Sequence, residues 1–266
     1  MLCTESKVQK NTTQVWDLLW SKCSSAKRDI FVLLTEENGI RWKRIEKIIL
    51  SEFGKFQGLG IIEIGAGQGT NAALMAKRGA TVTVLDYSEQ AIKRAKEFFS
   101  ANGLSANFLK LDALSLPPNL LGKFDISMSF GLAEHFKGFD RIRINRAHFD
   151  LLRKGGIAFI SVPNRNNLPY RISKFIEEST GKWPFGEEIP YSRGELRSVC
   201  HQLGITRYMF FGDSFLKSFK RISYPSRVMG RVFGRNPPTK MHIIKEEIPS
   251  FLDAYLSYAL VLCAKK

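Results

Sequence analysis

Short apolar, β-branched runs alternate with longer amphipathic stretches through the middle of the chain. Ile61 to Ile64 (IIEI), Thr81 to Leu85 (TVTVL), Asn107 to Leu111, Phe124 to Ser129, Ile157 to Val162 and Ile205 to Phe211 read as strands, and a seventh reads over Ala254 to Ala264. Helical spacing of apolar positions recurs between them, over Thr70 to Arg78, Ser88 to Phe99, Arg141 to Leu152 and Ser192 to Leu203, with Gly155-Gly156 expected to end the third of these helices. Strand and helix in turn predict an α/β protein, its mostly parallel sheet covered by helices on both faces.

Three stretches fall outside this alternation. Residues 1–57 form a helical extension with two apolar stripes, Trp16, Leu19, Trp20 and Cys23 in the first and Trp42, Ile45, Ile48 and Ile49 in the second. These stripes either pack on a flank of the sheet or cover a ligand cleft. Within residues 58–266, inserts are expected at 164–191 and 212–253. The second replaces a hairpin turn with about forty residues, far beyond ordinary loop lengths.

The first strand runs directly into a glycine loop, Glu63 to Gly69 (EIGAGQG), with Gly65, Gly67 and Gly69 ahead of a helix start. Glycines let a backbone approach a ligand closely at a helix N-terminus. A dinucleotide fingerprint needs its third glycine at position 70, where the chain has Thr70, and this spacing argues against a hydride-transfer enzyme. The second strand ends in Asp86. A carboxylate there stands beside the glycine loop and can accept hydrogen bonds from both hydroxyls of a ribose, or it caps the following helix. Asp112-Ala113 follows the third strand at the height of an adenine, and Asp112 has the alternative of capping the next turn.

IIEIGAGQG, VTVLDYS, LKLDALSLP, FDISMSFGLAEHF and LLRKGGIAFISVPN, in that order over about Gly58 to Asn164, resemble class I S-adenosylmethionine-dependent methyltransferases. The broad group that includes the ubiquinone and menaquinone biosynthesis enzymes is the most similar. The resemblance implies a Rossmann-like sheet of seven strands with an antiparallel last strand, and S-adenosylmethionine as cofactor. It also implies that Glu63, Gly65, Ala66, Gly67 and Gly69 lie along the methionine part and that Asp86 holds the ribose. Tyr87 would pack on the adenine, Asp112 and Ala113 would meet its edge, and Phe130, Gly131 and Leu132 would wall the sulfonium. In the family an N-terminal helix often covers this cleft, which would make Trp16 and Trp20 a water-excluding lid.

A methyl on a sulfonium is already activated, so catalysis needs in-line positioning and a dry site, with a base only where the accepting atom is protonated. His135, after Glu134 just past the fourth strand, is the candidate base, with an orienting role in the loop as its alternative. His148, His201 and His242 show no partner in the sequence. Asn164, Arg165, Asn166 and Asn167 read as a turn, with substrate contact as the alternative.

Composition narrows the rest. The 266 residues suit one large domain, and Cys3, Cys23, Cys200 and Cys263 have no paired spacing, so neither a metal site nor a disulfide framework is indicated. No run approaches the ~18–20 apolar residues of a membrane span, and MLCTESKVQK lacks the core of a signal peptide, which predicts a soluble cytoplasmic protein. The formal net charge is +15 and the pI about 9.8.

Ser214 to Lys245 holds no acidic residue, while Lys217, Lys220, Arg221, Arg227, Arg231, Arg235, Lys240 and Lys245 alternate with apolar groups such as Phe215, Phe219, Tyr224 and Phe233. Such a stretch is a solvated basic face, a contact with anionic membrane or a lipid-like substrate, or a nucleic-acid surface. Against nucleic acid, Ser129-Phe130-Gly131-Leu132 stands where the family's nucleic-acid amine methyltransferases carry a Pro-Pro-aromatic motif, and Pro117-Pro118 lies before that strand. An RNA-binding protein or RNA methyltransferase is therefore the second reading, behind methyl transfer to a small or lipid-like molecule. Tyr170, Phe175, Trp183, Phe185 and Tyr191 in the first insert are either a substrate cap or a self-packed cluster. Acceptor and oligomeric state carry no signature in the sequence.

Overall fold

The computed structural model describes residues 12–21, 26–215 and 249–266. Cys3, Cys23, His242 and the basic run from Lys217 to Lys245 fall outside the described residues, as does most of the second insert.

Seven strands form one sheet: β1 (Gly60–Ile64), β2 (Thr81–Asp86), β3 (Asn107–Lys110), β4 (Phe124–Phe130), β5 (Leu152–Pro163), β6 (Arg207–Gly212) and β7 (Ala259–Lys265). Their order is β3-β2-β1-β4-β5-β7-β6, with β7 antiparallel to both neighbours and the other pairings parallel. The chain starts at the centre, winds outward to β3 and crosses back to β4. Ligands bind at such a reversal, beyond the carboxyl ends of β1 and β4.

Period-two alternation in the strands divides the core between the two faces. Ile61, Ile126, Met128 and Phe159 face one side with α3 (Ile40–Phe53), α4 (Thr70–Lys77) and α5 (Glu89–Ala101). Ile62, Ile64, Ile160 and Leu262 face the other with α6 (Gly138–Leu151) and α8 (Arg193–Gln202). Trp42, Ile45 and Ile49 on α3 are fully buried, so the second N-terminal stripe packs on the flank. Among the described residues, no helix is long and apolar enough to cross a membrane.

Three local expectations are corrected. Gly155 and Gly156 lie inside β5: Leu152 leaves α6 already extended, and Gly155 and Gly156 bond Lys266 through backbone N–H and C=O, so the glycines serve a strand irregularity. The last strand starts at Ala259, because Asp253–Leu256 forms a short helix, anchored by the Asp253 carboxylate, which accepts the Ser250 N–H just before the helix and the Phe215 N–H from the segment after β6. Two further helices escaped the pattern, α2 (Ala26–Glu37) and α7 (Leu168–Ser179). The second had a start signal in Asn167-Leu168-Pro169: the Asn167 side chain accepts from Tyr170 N–H at 2.7 Å, and proline occupies the first turn.

Candidate active site

The glycine loop is pinned from both sides. Glu63, the one polar side chain of β1, points toward the start of α4, and its Oε2 accepts the Ala72 N–H at 2.6 Å. Burial raises its pKa to about 8, against the lowering effects of that hydrogen bond and of nearby Arg41. Asp86, at the tip of β2, accepts the Gly67 N–H and the Ser88 N–H, each at 2.9 Å. Burial raises its pKa, against the backbone N–H groups that favour the anion. The cap of α5 is therefore Ser88, whose hydroxyl accepts from Ala91 N–H, and Asp86 faces the loop instead.

The positive φ of Gly65 and Gly67 (59° and 55°) requires glycine, and so does the space around them. A Cβ on Gly65 would stand 2.4 Å from Leu132 Cδ1, and one on Gly67 would stand 2.2 Å from Trp20 Cζ2. The β4 exit, Phe130-Gly131-Leu132, thus packs against the loop. Helix α1 (Thr13–Ser21) lies over it. Asp17 of α1 bonds the Ser88 hydroxyl at the start of α5, Trp20 covers Gly67, and Trp16 meets the His135 ring edge-on at 4.8 Å while bonding the Tyr87 hydroxyl. The two N-terminal stripes therefore have different fates, the first over the loop and the second on the flank.

Asp112 is exposed and accepts the Leu114 N–H at 2.8 Å, capping its turn, while Ala113 is buried beneath. It lies within electrostatic reach of Tyr87, as Glu63 lies within reach of Asp86. β1, β2 and β3 are parallel neighbours, so the three acidic residues lie toward the same carboxyl end of the sheet. Arg41 joins them from α3. Its guanidinium pairs with Glu36 at 2.6 Å and sits 5.0 Å from the Phe130 ring centroid. No spacing in the sequence connects Arg41 to this site.

His135 closes the other side. Its Nδ1 lies 2.9 Å from the Glu187 carbonyl oxygen, a bond that requires the proton on Nδ1, and burial lowers the pKa to about 4. Glu134, His135 and Glu188 bring two carboxylates and an imidazole within 4.8 Å of one another, a grouping able to hold a metal ion. Glu188 comes from the first insert, so cysteine and histidine spacing gave no hint of it. One Glu134 oxygen is buried without a hydrogen-bond partner among the described residues, and burial next to Glu188 raises the Glu134 pKa well above the carboxylate range. The Tyr170 hydroxyl donates to Glu188.

The remaining candidates are structural in geometry. His148 bonds Ser129 and the Ile144 carbonyl inside the core, and His201 is edge-on to Tyr208. The Asn164 side chain donates to the Tyr255 and Ser257 carbonyls and Asn167 to that of Leu256, which makes the turn before α7. Trp183 meets the Tyr170 ring at a tilt and the Phe185 ring edge-on, so much of the insert's aromatic set is self-packed, whereas Phe175 is 70% exposed.

A family model described as a methyltransferase domain matches residues 61–156, the glycine loop through the start of β5. The chain is 31% identical over 128 residues to a ubiquinone biosynthesis O-methyltransferase of Caulobacter vibrioides, covering 48% of this chain and 50% of that one. It is 27% identical over 163 residues to the protein of the same name from Rickettsia prowazekii, covering 61% and 63%. The chain thus spans about half to two thirds of the length of these curated relatives. Its fold is that of magnesium protoporphyrin IX methyltransferase from Synechocystis with bound SAH, at a TM-score of 0.55 and 15% identity over 95% of this chain and 93% of that one. Residues 61–156 thus match a methyltransferase domain, and through this region the chain is similar to S-adenosylmethionine-dependent methyltransferases, whose fold it shares.

Proposed function

We propose that this chain transfers the methyl group of S-adenosylmethionine to a small or lipid-like acceptor. The observation that carries the reading is the glycine loop at the sheet's reversal, tied to the Asp86 carboxylate through Gly67. In the proposal Asp86 takes the ribose hydroxyls, and Tyr87, Asp112 and Ala113 border the adenine. Glu63, Gly65, Ala66, Gly67 and Gly69 run along the methionine part, and Phe130, Gly131 and Leu132 wall the sulfonium. Arg41 supplies the positive charge for the methionine carboxylate, a role its place over Phe130 supports. Because Trp20 sits on Gly67, cofactor entry moves α1, and its return excludes water.

Oxygen is the accepting atom that the names of the relatives favour, and a phenolic, quinone-like acceptor is the corresponding class. His135, neutral and held in the Nδ1–H form, is the proposed base, with Nε2 as the basic nitrogen. Calorimetric titration with S-adenosylmethionine and S-adenosylhomocysteine tests the core of the reading: both are expected to bind, and binding of neither ends it.

A peripheral contact with anionic membrane completes the proposal, in a cytoplasmic setting that the free, buried Cys200 and Cys263 support. On α7, Leu168, Ile172, Phe175 and Ile176 form an apolar stripe that faces solvent, with the exposed Arg171 beside it. Burying one such side chain in the interface is worth about 1.5–3 kcal/mol and each cation about 1 kcal/mol. Sedimentation with anionic vesicles should therefore exceed that with neutral vesicles, and Phe175→Glu should weaken it by about tenfold or more. Equal retention on both vesicle types leaves a solvated face.

A further inference from the structure

A cavity of about 440 Å³ opens between α7 and the segment that leads back to Tyr191, within the usual range for small-ligand pockets. Tyr170, Lys174, Phe175 and Glu188 line it together with Arg165 and Arg171. It adjoins the proposed catalytic region: Glu188 belongs to both, and the Lys174 charge acts on His135.

The lining charges are unequally satisfied. Lys174 pairs with Glu178, which also borders the cavity, and Glu188 accepts a hydrogen bond from the Tyr170 hydroxyl. Neither Arg165 nor Arg171 has a side-chain hydrogen bond or ion pair among the described residues. Arg165 is nevertheless fixed in place, since its backbone N–H bonds the Tyr191 carbonyl at 2.8 Å beside the Asn164–Tyr191 bridge that closes the insert. Two unpaired guanidinium forks over a cavity match the geometry of a carboxylate or phosphate, which accepts bidentate hydrogen bonds from arginine. The exposed Phe175 ring adds an apolar wall.

We infer that this cavity anchors an acid group of the methyl acceptor, so that the acceptor is a ring-bearing or otherwise apolar molecule carrying a carboxylate or phosphate ester. The inference rests on the methyltransferase reading above, which places the acceptor at His135.

The test uses the full chain, wild type and Arg165→Gln/Arg171→Gln, with 1-naphthoate and its neutral isostere 1-naphthamide as probes in equilibrium binding. The wild type should bind the carboxylate at least about tenfold more tightly than the amide, and the double variant should reduce that preference to below about twofold. Both arginines are exposed, so folding should be unaffected; an unchanged melting curve and S-adenosylhomocysteine affinity within about twofold check this. In a tritiated-methyl screen of extracts, the wild type should label compounds retained on an anion exchanger and the double variant should lose that label.

A preference that survives in the double variant, or is absent from the wild type, overturns the inference. So does loss of anionic-vesicle retention with the naphthoate preference intact, which gives the arginines to a lipid headgroup. If no extract fraction accepts label and S-adenosylhomocysteine does not bind, it is the methyltransferase reading that fails, while the naphthoate comparison still decides the cavity.

Discussion

His135→Ala is expected to lower kcat by about 10²–10⁴-fold while leaving S-adenosylhomocysteine affinity within about twofold, the range a positioned general base supplies. The expectation follows from the tautomer. A neutral imidazole that donates Nδ1–H to the Glu187 carbonyl carries its basic lone pair on Nε2, the atom that would take the proton of the acceptor. His135→Gln separates this role from a purely orienting one, because its amide can keep a bond to the Glu187 carbonyl without taking a proton. Recovery of activity in that variant would assign His135 to loop geometry.

The pH profile is a second readout. With a pKa near 4, held down by burial, His135 stays unprotonated at neutral pH, and its contribution to kcat/KM is lost as pH falls through about 4 instead of 6.5. The same depression links to stability. Below 6.5 the unfolded state binds the proton more readily than the folded one, so stability present above 6.5 is lost as pH falls toward 4, and the buried His148, also near 4, adds to the loss.

Asp86→Ala should weaken S-adenosylhomocysteine binding by about a hundredfold or more. Two ribose hydroxyls bonded to one carboxylate contribute about 1.5–3 kcal/mol each, and each 1.4 kcal/mol is a factor of about ten. The loop also loses a support, since the Gly67 N–H is left without its acceptor. Asp86→Asn keeps an oxygen for one donor and removes the charge, so its affinity should fall between wild type and alanine. Calorimetry measures the effect, and an alanine variant within twofold of wild type would remove Asp86 from the ribose site.

These effects separate residues whose backbone neighbours already appear in the sequence from those that meet only in space. Asp112 illustrates the difference. Its place after β3 was legible, but its bond to Leu114 N–H is a local turn contact that a sequence presents equally well as a cap or as a ligand contact. Helix α7 was missed although Asn167 and Pro169 marked its start, because the aromatic residues of its segment read equally well as a cap or a self-packed cluster within an insert.

The sequence by itself determined the alternation of strands and helices, the mostly parallel sheet that this alternation predicts, and the loop from Glu63 to Gly69 with its acid at Asp86. Those features depend on near-neighbour chemistry: period-two burial, β-branched strands, and glycine where φ is positive and space is short. Tertiary structure decided what lies across the loop and who faces His135. Trp20 on Gly67, Arg41 over Phe130, and Glu188 beside Glu134 are contacts between segments far apart in the chain, fixed by packing of whole helices and by closure of the insert at Asn164 and Tyr191. No spacing rule encodes such contacts, because their free energy belongs to the assembled surfaces and not to either segment alone.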